Sequence, residues 1–438
     1  MAVFTILNHG TGFRREKENE MIADFGRALD GIEVRPESPD ENGQLFGNYL
    51  ITDGPGSGNN ETNPLPGSYN VYTGRTKESV GMKRKVGRFL GIGKEKEFKE
   101  DFYGQTPKRN NLMGNLAGHG WSDNVTKIAY ALSAMNALPD TINLAGWSRG
   151  AVTCIMAANK IYELFPEIKV NIFAIDPVAG FGNNEVSGDF NKRRTLPPSV
   201  RNFIAVLAIH EKRGFFNPVD ATKIRISPRN SEGANILFLP MPGKHDSQTK
   251  QKDTDDPSSF LNLPSKVTHH LAFKFLSQFG TNFINGFDRS HGLRAVLELY
   301  SEMLLNWSGL EKSLTNKGMG QRAQGGFGKR GFAKTKELQR YTMHSNYFVN
   351  EHHRAVFRQV HPEVYDVIFS RTGHGFNVTR MRGAIAQLST ATYTSLEPYF
   401  EFTDHMTQGR LHLPIPGSGV DKDLQPLPYS QWPTLWNL

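Results

Sequence analysis

Cysteine is almost absent from this sequence, which has one, Cys154, in 438 residues. A single thiol cannot form an intramolecular disulfide, so a disulfide-stapled secreted scaffold is excluded. Cys154 lies on a predicted buried helix, and we expect it to be a small core residue rather than a reactive one.

Long apolar runs are also lacking, although hydrophobic residues make up 38% of the chain. No run reaches 18 residues, so no transmembrane helix is predicted. Residues 1–7 are apolar but lack a basic start and a cleavage site, and we interpret them as a strand rather than a signal peptide. The expectation is a soluble protein that is made in the cytoplasm.

Acidic residues are outnumbered by basic ones, 43 against 51, which gives a formal net charge of +8. This balance favours anionic partners such as an acidic membrane surface or nucleic acid. Zinc-ligand spacing, an RNA-recognition signature and a base-reading helix are missing, so nucleic acid is not the expected partner. His269-His270 and Glu351-His352-His353 lack a full ligand set, and no metal or cofactor is expected.

Apolar segments of strand and helix type alternate over the first 250 residues. Strands are predicted at 3–7, 48–51, 141–145, 170–175, 203–209 and 236–239, with helices at 20–29, 121–137 and 150–164. Strands that alternate with helices predict an α/β fold with a mostly parallel, doubly wound sheet.

Two regions fall outside this alternation. The polar stretch 58–115 is too long for an ordinary loop, and we interpret it as an insertion over the sheet and a candidate lid. Within it, residues 82–94 combine basic and apolar side chains and could lie on an anionic membrane surface or form a solvated loop. Beyond residue 250 the pattern becomes amphipathic and helical. We therefore divide the chain into an α/β domain, 1–250, and an α-rich accessory or cap region, 251–438.

A G-x-S-x-G pattern, Gly146-Trp147-Ser148-Arg149-Gly150, follows one predicted strand and opens the next helix. In a nucleophile elbow a serine projects from such a turn, and small residues on either side let strand and helix approach closely. The positive end of the helix favours negative charge that develops on a bound group. The context therefore predicts that Ser148 is a nucleophile.

A serine hydroxyl needs a histidine to take its proton and a carboxylate to orient that histidine. In this fold the chain order is serine, acid, histidine. His245 follows the last predicted strand and is the candidate base. Asp176 and Glu211 end two successive strands, and Asp176 is preferred as the acid with Glu211 as the alternative.

An oxyanion hole requires the backbone N–H after the nucleophile and a second N–H from an early loop. Arg149 supplies the first. The glycine-rich turn His9-Gly10-Thr11-Gly12 follows the first strand, so Thr11 and Gly12 are the candidates for the second.

The order of several motifs resembles the α/β-hydrolase family that contains the type VI secretion lipase effectors. Gly146-Trp147-Ser148-Arg149-Gly150-Ala151 is similar to its G-F-S-R-G-A elbow, with tryptophan for phenylalanine, and His9-Gly10-Thr11-Gly12 is similar to its D-G-T-G turn, with histidine for aspartate. The other similar segments are 52–56, 118–130, 175–178, 210–216 and 239–246.

This resemblance covers about residues 1–250 and implies a serine esterase or lipase, with phospholipids as a frequent substrate. Ser148, His245 and Asp176 match its catalytic positions. The glycines that follow the final histidine in the family are replaced by Asp246-Ser247-Gln248. Membership would also imply secretion by a non-Sec route and an immunity or secretion partner, neither of which the sequence defines. A non-lipid esterase or thioesterase and an inactive interaction protein on the same fold stay open.

Overall fold

A computed structural model describes residues 2–14, 20–55 except 37, 57, 69–70, 75–76, 121–179, 193–211 except 209, 216, 218–219, 224–226, 234–250 and 259–284, with separate positions between 299 and 313. The basic segment 82–94 lies outside these residues. The amphipathic pattern beyond residue 250 predicts helices at 293–305 and 351–369, and these ranges lie largely or wholly outside the described residues as well. So does most of the insertion predicted at 58–115.

Six strands form one sheet in which every neighbouring pair is parallel. They are labelled in chain order β1 (Val3–Asn8), β2 (Tyr49–Thr52), β3 (Thr141–Trp147), β4 (Lys169–Ile175), β5 (Val200–Ala208) and β6 (Asn235–Met241). Their spatial order is β6-β5-β4-β3-β1-β2. The predicted α/β class and the mostly parallel sheet are confirmed. Two-residue strands pair Tyr69–Asn70 with Arg75–Thr76 and Thr195–Leu196 with Arg225–Ile226.

Helices cover both faces of this sheet. They are α1 (Met21–Ala28), α2 (Trp121–Ser133), α3 (Arg149–Leu164) and α4 (Leu263–Gln278), with 3-10 turns at Asp246–Gln248 and Phe260–Asn262. Helices α2 and α3 share one buried cluster with β1, β3 and β4, while α1 and α4 pack on the opposite face. Helix α4 lies beyond residue 250 yet packs on the sheet through Phe275, whose ring centroid is 5.5 Å from that of Phe173.

The face under α1 and α4 carries a row of four hydrogen-bonded asparagines. Asn143, Asn171, Asn202 and Asn235 occupy matching register positions on β3, β4, β5 and β6. Each of the last three donates from its side-chain amide to the side-chain oxygen of the preceding asparagine, at 2.7–2.9 Å. A buried polar group is costly unless it is paired, and this row pairs its members with one another.

The row ends on the segment that follows α4. The amide of Asn143 donates to the Phe279 carbonyl and to the Thr281 hydroxyl, each at 3.0 Å, and that hydroxyl lies 2.8 Å from the Thr5 hydroxyl on β1. Strands β5 and β6 begin before the predicted residues 203 and 236. The prediction began too late because Asn202 and Asn235 interrupt the apolar pattern. Their side-chain amides are hydrogen-bonded within the sheet.

The strand order places a topological switch point between β1 and β3, because the chain runs from β1 outward to β2 and then returns to the other side of β1. In open parallel sheets, ligands bind in the crevice beyond the carboxyl ends of the strands at such a point. Residues 9–12 and Ser148 follow directly on these two strands. No helix in the described part of the chain is long and apolar enough to span a bilayer.

Candidate active site

Ser148 forms the turn between β3 and α3 in a strained backbone conformation, with φ 59° and ψ −122°. Serine at a helix N-terminus commonly caps the helix with its side chain, but this one makes no capping hydrogen bond. Among the described residues, Ser148 and Asp176 are the two non-glycine residues with positive φ. Such strain is found most often at functional sites.

Two glycines let the elbow close. A Cβ atom on Gly146 would lie 2.6 Å from the Gly150 carbonyl carbon and oxygen. A Cβ on Gly150 would lie 2.3 Å from the Asn8 carbonyl oxygen and 2.4 Å from that of His9. These neighbours are backbone atoms of β1 and its loop, so a side chain at Gly150 would push α3 away from the sheet.

We expect Gly150→Ala to lower the free energy of unfolding by about 1–3 kcal/mol, the usual cost of overpacking. Gly26→Ala is the matched control, since Gly26 is also helical but its added Cβ would meet the flexible end of Ile51 at 2.9 Å. Urea unfolding of both variants measures the difference. Equal stabilities would show that α3 tolerates a side chain at its contact with β1.

His245 and Asp176 form a buried pair beside the elbow. His245 Nδ1 lies 2.5 Å from Asp176 Oδ2, and their side chains are 4% and 0% exposed. The second carboxylate oxygen, Oδ1, accepts a hydrogen bond from the Ala208 N–H at 3.0 Å. The carboxylate is thereby fixed between the ends of β4 and β5, with one oxygen directed at the imidazole.

Backbone hydrogen bonds place Ser148 next to Asp176. The Ser148 N–H donates to the Ile175 carbonyl at 2.8 Å, and the Ser148 carbonyl accepts from the Val178 N–H at 3.3 Å. Ser148 is therefore hydrogen-bonded to the main chain both before and after Asp176. Within the described residues the Ser148 hydroxyl makes no hydrogen bond with His245. Catalytic hydrogen bonds are often long in free enzymes and tighten when substrate binds.

Glu211 is buried at the end of β5 but holds the main chain of His245 rather than its ring. Its Oε2 accepts a hydrogen bond from the His245 N–H at 3.2 Å. The neighbouring His210 holds the same loop, because its N–H donates to the Gly243 carbonyl and its Nδ1 accepts from the Gly243 N–H, both at 3.0 Å. Of the two candidate acids, the structure thus places Asp176 against the imidazole.

The loop after β1 lies against the N-terminus of α3. The Gly12 N–H, however, donates to the Pro55 carbonyl at 3.0 Å, so in this structure it does not point at a substrate. Thr11 N–H takes part in none of the described backbone bonds of the loop. The Thr11 hydroxyl accepts a hydrogen bond at 2.8 Å from Arg149 Nη1, whose pKa burial lowers to about 10.

A second buried histidine–carboxylate pair, not predicted from the sequence, begins in this same loop. His9 Nδ1 is 2.8 Å from Glu20 Oε2, and both side chains are fully buried. Glu20 directly precedes α1, so the pair joins the carboxyl end of β1 to the start of that helix. The histidine in the H-G-T-G turn was the one available signal, since its burial beside a strand end requires a polar partner.

Aromatic rings surround His245. The Trp147 ring stacks on the imidazole with 5.2 Å between centroids, and the Phe216 ring approaches it edge-on at 4.8 Å. Phe13 packs edge-on against Trp147 at 5.1 Å, and the Lys250 ammonium lies 4.1 Å from the Phe13 ring centroid. Burial among these rings strengthens the electrostatic interactions of the His245–Asp176 pair.

Cys154 has no place in this chemistry. It is buried in α3, its sulfur accepts a hydrogen bond from Asn8 Nδ2 at 3.2 Å, and burial raises its pKa to about 12. A thiol this reluctant to ionise is inert as a nucleophile or metal ligand. The described residues also contain no cluster of three or more histidine, cysteine, aspartate and glutamate side chains suited to a metal ion.

Comparison with known proteins gives no family profile and no curated protein that matches this chain. Among solved structures it is similar to an uncharacterized protein from Pseudomonas aeruginosa, with a TM-score of 0.35 and 12% identity over 72% of this chain and 56% of that one. The chain thus spans little more than half the length of that protein. It is also similar to the Tle1 effector in a structure bound to the VgrG spike of the Type 6 secretion system. That match has a TM-score of 0.32 and 12% identity, and it covers 72% of this chain and 80% of the effector chain. At these TM-scores the similarity identifies neither an activity nor a substrate.

Proposed function

We propose that this protein is a serine-dependent carboxylic-ester hydrolase with an α/β-hydrolase fold. The observation that carries the proposal is the buried His245–Asp176 pair beside the strained turn of Ser148. A serine, a histidine and an orienting carboxylate in this chain order are the parts that acyl transfer requires.

In the proposed reaction Ser148 Oγ attacks the acyl carbonyl while its proton passes to His245 Nε2. Asp176 accepts the hydrogen bond from Nδ1–H, which leaves Nε2 unprotonated before attack and stabilises the imidazolium afterwards. The carbonyl π electrons move to the oxygen, where the N–H groups of Thr11 and Arg149 would stabilise the charge. When the intermediate collapses, the ester C–O bond breaks and His245 returns the proton to the leaving alcohol. Water then hydrolyses the acyl-enzyme by the same steps.

A lipid ester is the substrate class we favour. The motif resemblance to the lipase effectors and the net charge of +8 support an acyl substrate at an anionic membrane surface. The same resemblance supports the further proposals of a bacterial secreted effector and of an immunity or secretion partner. A soluble esterase or thioesterase would instead prefer monomeric substrates over micelles and vesicles.

Labelling by a fluorescent fluorophosphonate tests the proposal, since this probe reacts with an activated serine. We expect the wild type to be labelled, Ser148→Ala to be unlabelled, and His245→Ala to be labelled at a rate lower by several orders of magnitude. A parallel assay with p-nitrophenyl esters and phospholipid vesicles assigns the substrate class. A wild type that neither reacts with the probe nor cleaves any ester, with or without anionic vesicles, would support a non-catalytic interaction protein instead.

A further inference from the structure

Trp147 joins the nucleophile turn to the loop that carries the base. Its indole Nε1–H donates to the main-chain carbonyl of His245 at 3.2 Å, and its ring stacks on the imidazole at an interplanar angle of 30°. The two residues are 98 positions apart in the chain. This contact therefore fixes the distance between β3 and the loop after β6.

The indole is itself held in place. Trp147 is 4% exposed and ends β3 in register with Ile175 of β4. Gly10 lies so close to the ring that a Cβ there would be 2.4 Å from its Cε3 atom, and Phe13 packs on it edge-on. A side chain confined in this way presents its N–H in one direction.

The opposite side of the His245 peptide is held from β5, because its N–H donates to Glu211. The imidazole is held from β4, because Nδ1 contacts Asp176. Trp147 adds the third attachment, to the carbonyl. His245 thus forms one hydrogen bond each with Trp147 at the end of β3, with Asp176 just after β4 and with Glu211 in the segment after β5. Of these three residues, only Trp147 is adjacent to Ser148.

We infer that Trp147 is a positioning residue for His245, whose indole N–H sets the base loop relative to Ser148. The inference rests on the proposed function and adds a residue to it. The resembling family carries phenylalanine at this place, a smaller aromatic residue that cannot donate a hydrogen bond. The indole donor is therefore a difference between this chain and the family motif. The base loop differs as well, since Asp246-Ser247-Gln248 replaces the glycines after the final histidine.

Trp147→Phe tests this inference because it keeps an aromatic ring and removes the donor. We expect the fluorophosphonate labelling rate at saturating probe to fall about 3- to 10-fold, the change that corresponds to one lost neutral hydrogen bond. The probe concentration that gives half the maximal rate should not change. The melting temperature of each variant provides the control for folding.

The same substitution in the His245→Ala background separates positioning from general disruption. If Trp147 acts through His245, it should cause no further loss there, whereas a loss of equal size in both backgrounds would overturn the inference. An unchanged rate in Trp147→Phe would also overturn it and would leave the proposed function standing. Absence of labelling in the wild type would instead refute the proposed function, and the inference with it.

Discussion

Replacing Asp176 by asparagine is expected to slow the proposed ester hydrolysis by about 10⁴-fold, as loss of the orienting carboxylate does in serine proteases. The amide keeps the shape of the side chain but can donate a hydrogen bond to Nδ1 of His245. That interaction favours the tautomer with its proton on Nε2, which cannot accept the Ser148 proton. The measurement is kcat for a p-nitrophenyl ester at neutral pH.

Glu211→Gln is the matched control, since both carboxylates are fully buried and follow adjacent strands. Glutamine retains an oxygen that can accept from the His245 N–H, so we expect a loss of less than about 10-fold, the value of about one hydrogen bond. If the two variants lose activity equally, the carboxylate of Glu211 has a role beyond holding the loop. If Asp176→Asn keeps full activity, the dyad is not catalytic.

Replacing Asn171 by leucine is expected to lower the free energy of unfolding by about 2–6 kcal/mol. Asn171 lies inside the asparagine row, where it donates to Asn143 and accepts from Asn202. Leucine has a similar length and no polar atom, so Asn143 loses this donor and Asn202 loses this acceptor. Removing the partner of a buried polar group costs about 1–3 kcal/mol. Urea unfolding followed by circular dichroism measures the change.

Asn235→Leu provides the comparison, because Asn235 ends the row on the edge strand β6 and donates only to Asn202 within it. Its removal leaves one acceptor without this donor, for an expected loss of about 1–3 kcal/mol. A larger loss for Asn235→Leu than for Asn171→Leu would show that the row does not stabilise the sheet through its internal pairing.

The elements of the fold were predictable because the apolar runs of β1, β3 and β4 and the amphipathic pattern of α1 are local in sequence. The positions of Ser148 and His245 follow from equally local motifs at strand ends. The choice between Asp176 and Glu211 was less accessible, since it depends on which strand end faces the loop of His245. The distance from each carboxylate to the His245 ring is set by the order of the strands in the sheet and not by spacing along the chain.

Other features depend on contacts that no local pattern encodes. The Gly12 N–H binds the Pro55 carbonyl, a partner 43 residues away, so the prediction that it serves as an oxyanion donor does not fit this structure. The asparagine row requires the register of four parallel strands, and a single asparagine in each strand appears only as an interruption of an apolar run. The His9–Glu20 pair similarly requires the loop after β1 to return to the start of α1.

The switch point between β1 and β3 also has a consequence for folding. Three contacts of the site join residues that are far apart in the chain. The separation is 138 residues for Arg149 and Thr11, 98 for Trp147 and His245, and 69 for Asp176 and His245. Contacts of such high order form late, because each loop must lose its entropy before the contact compensates for it. During synthesis the elbow therefore emerges well before β6 brings the histidine to it. In the proposed mechanism, Ser148 therefore has no proton acceptor until the last strand of the sheet has joined.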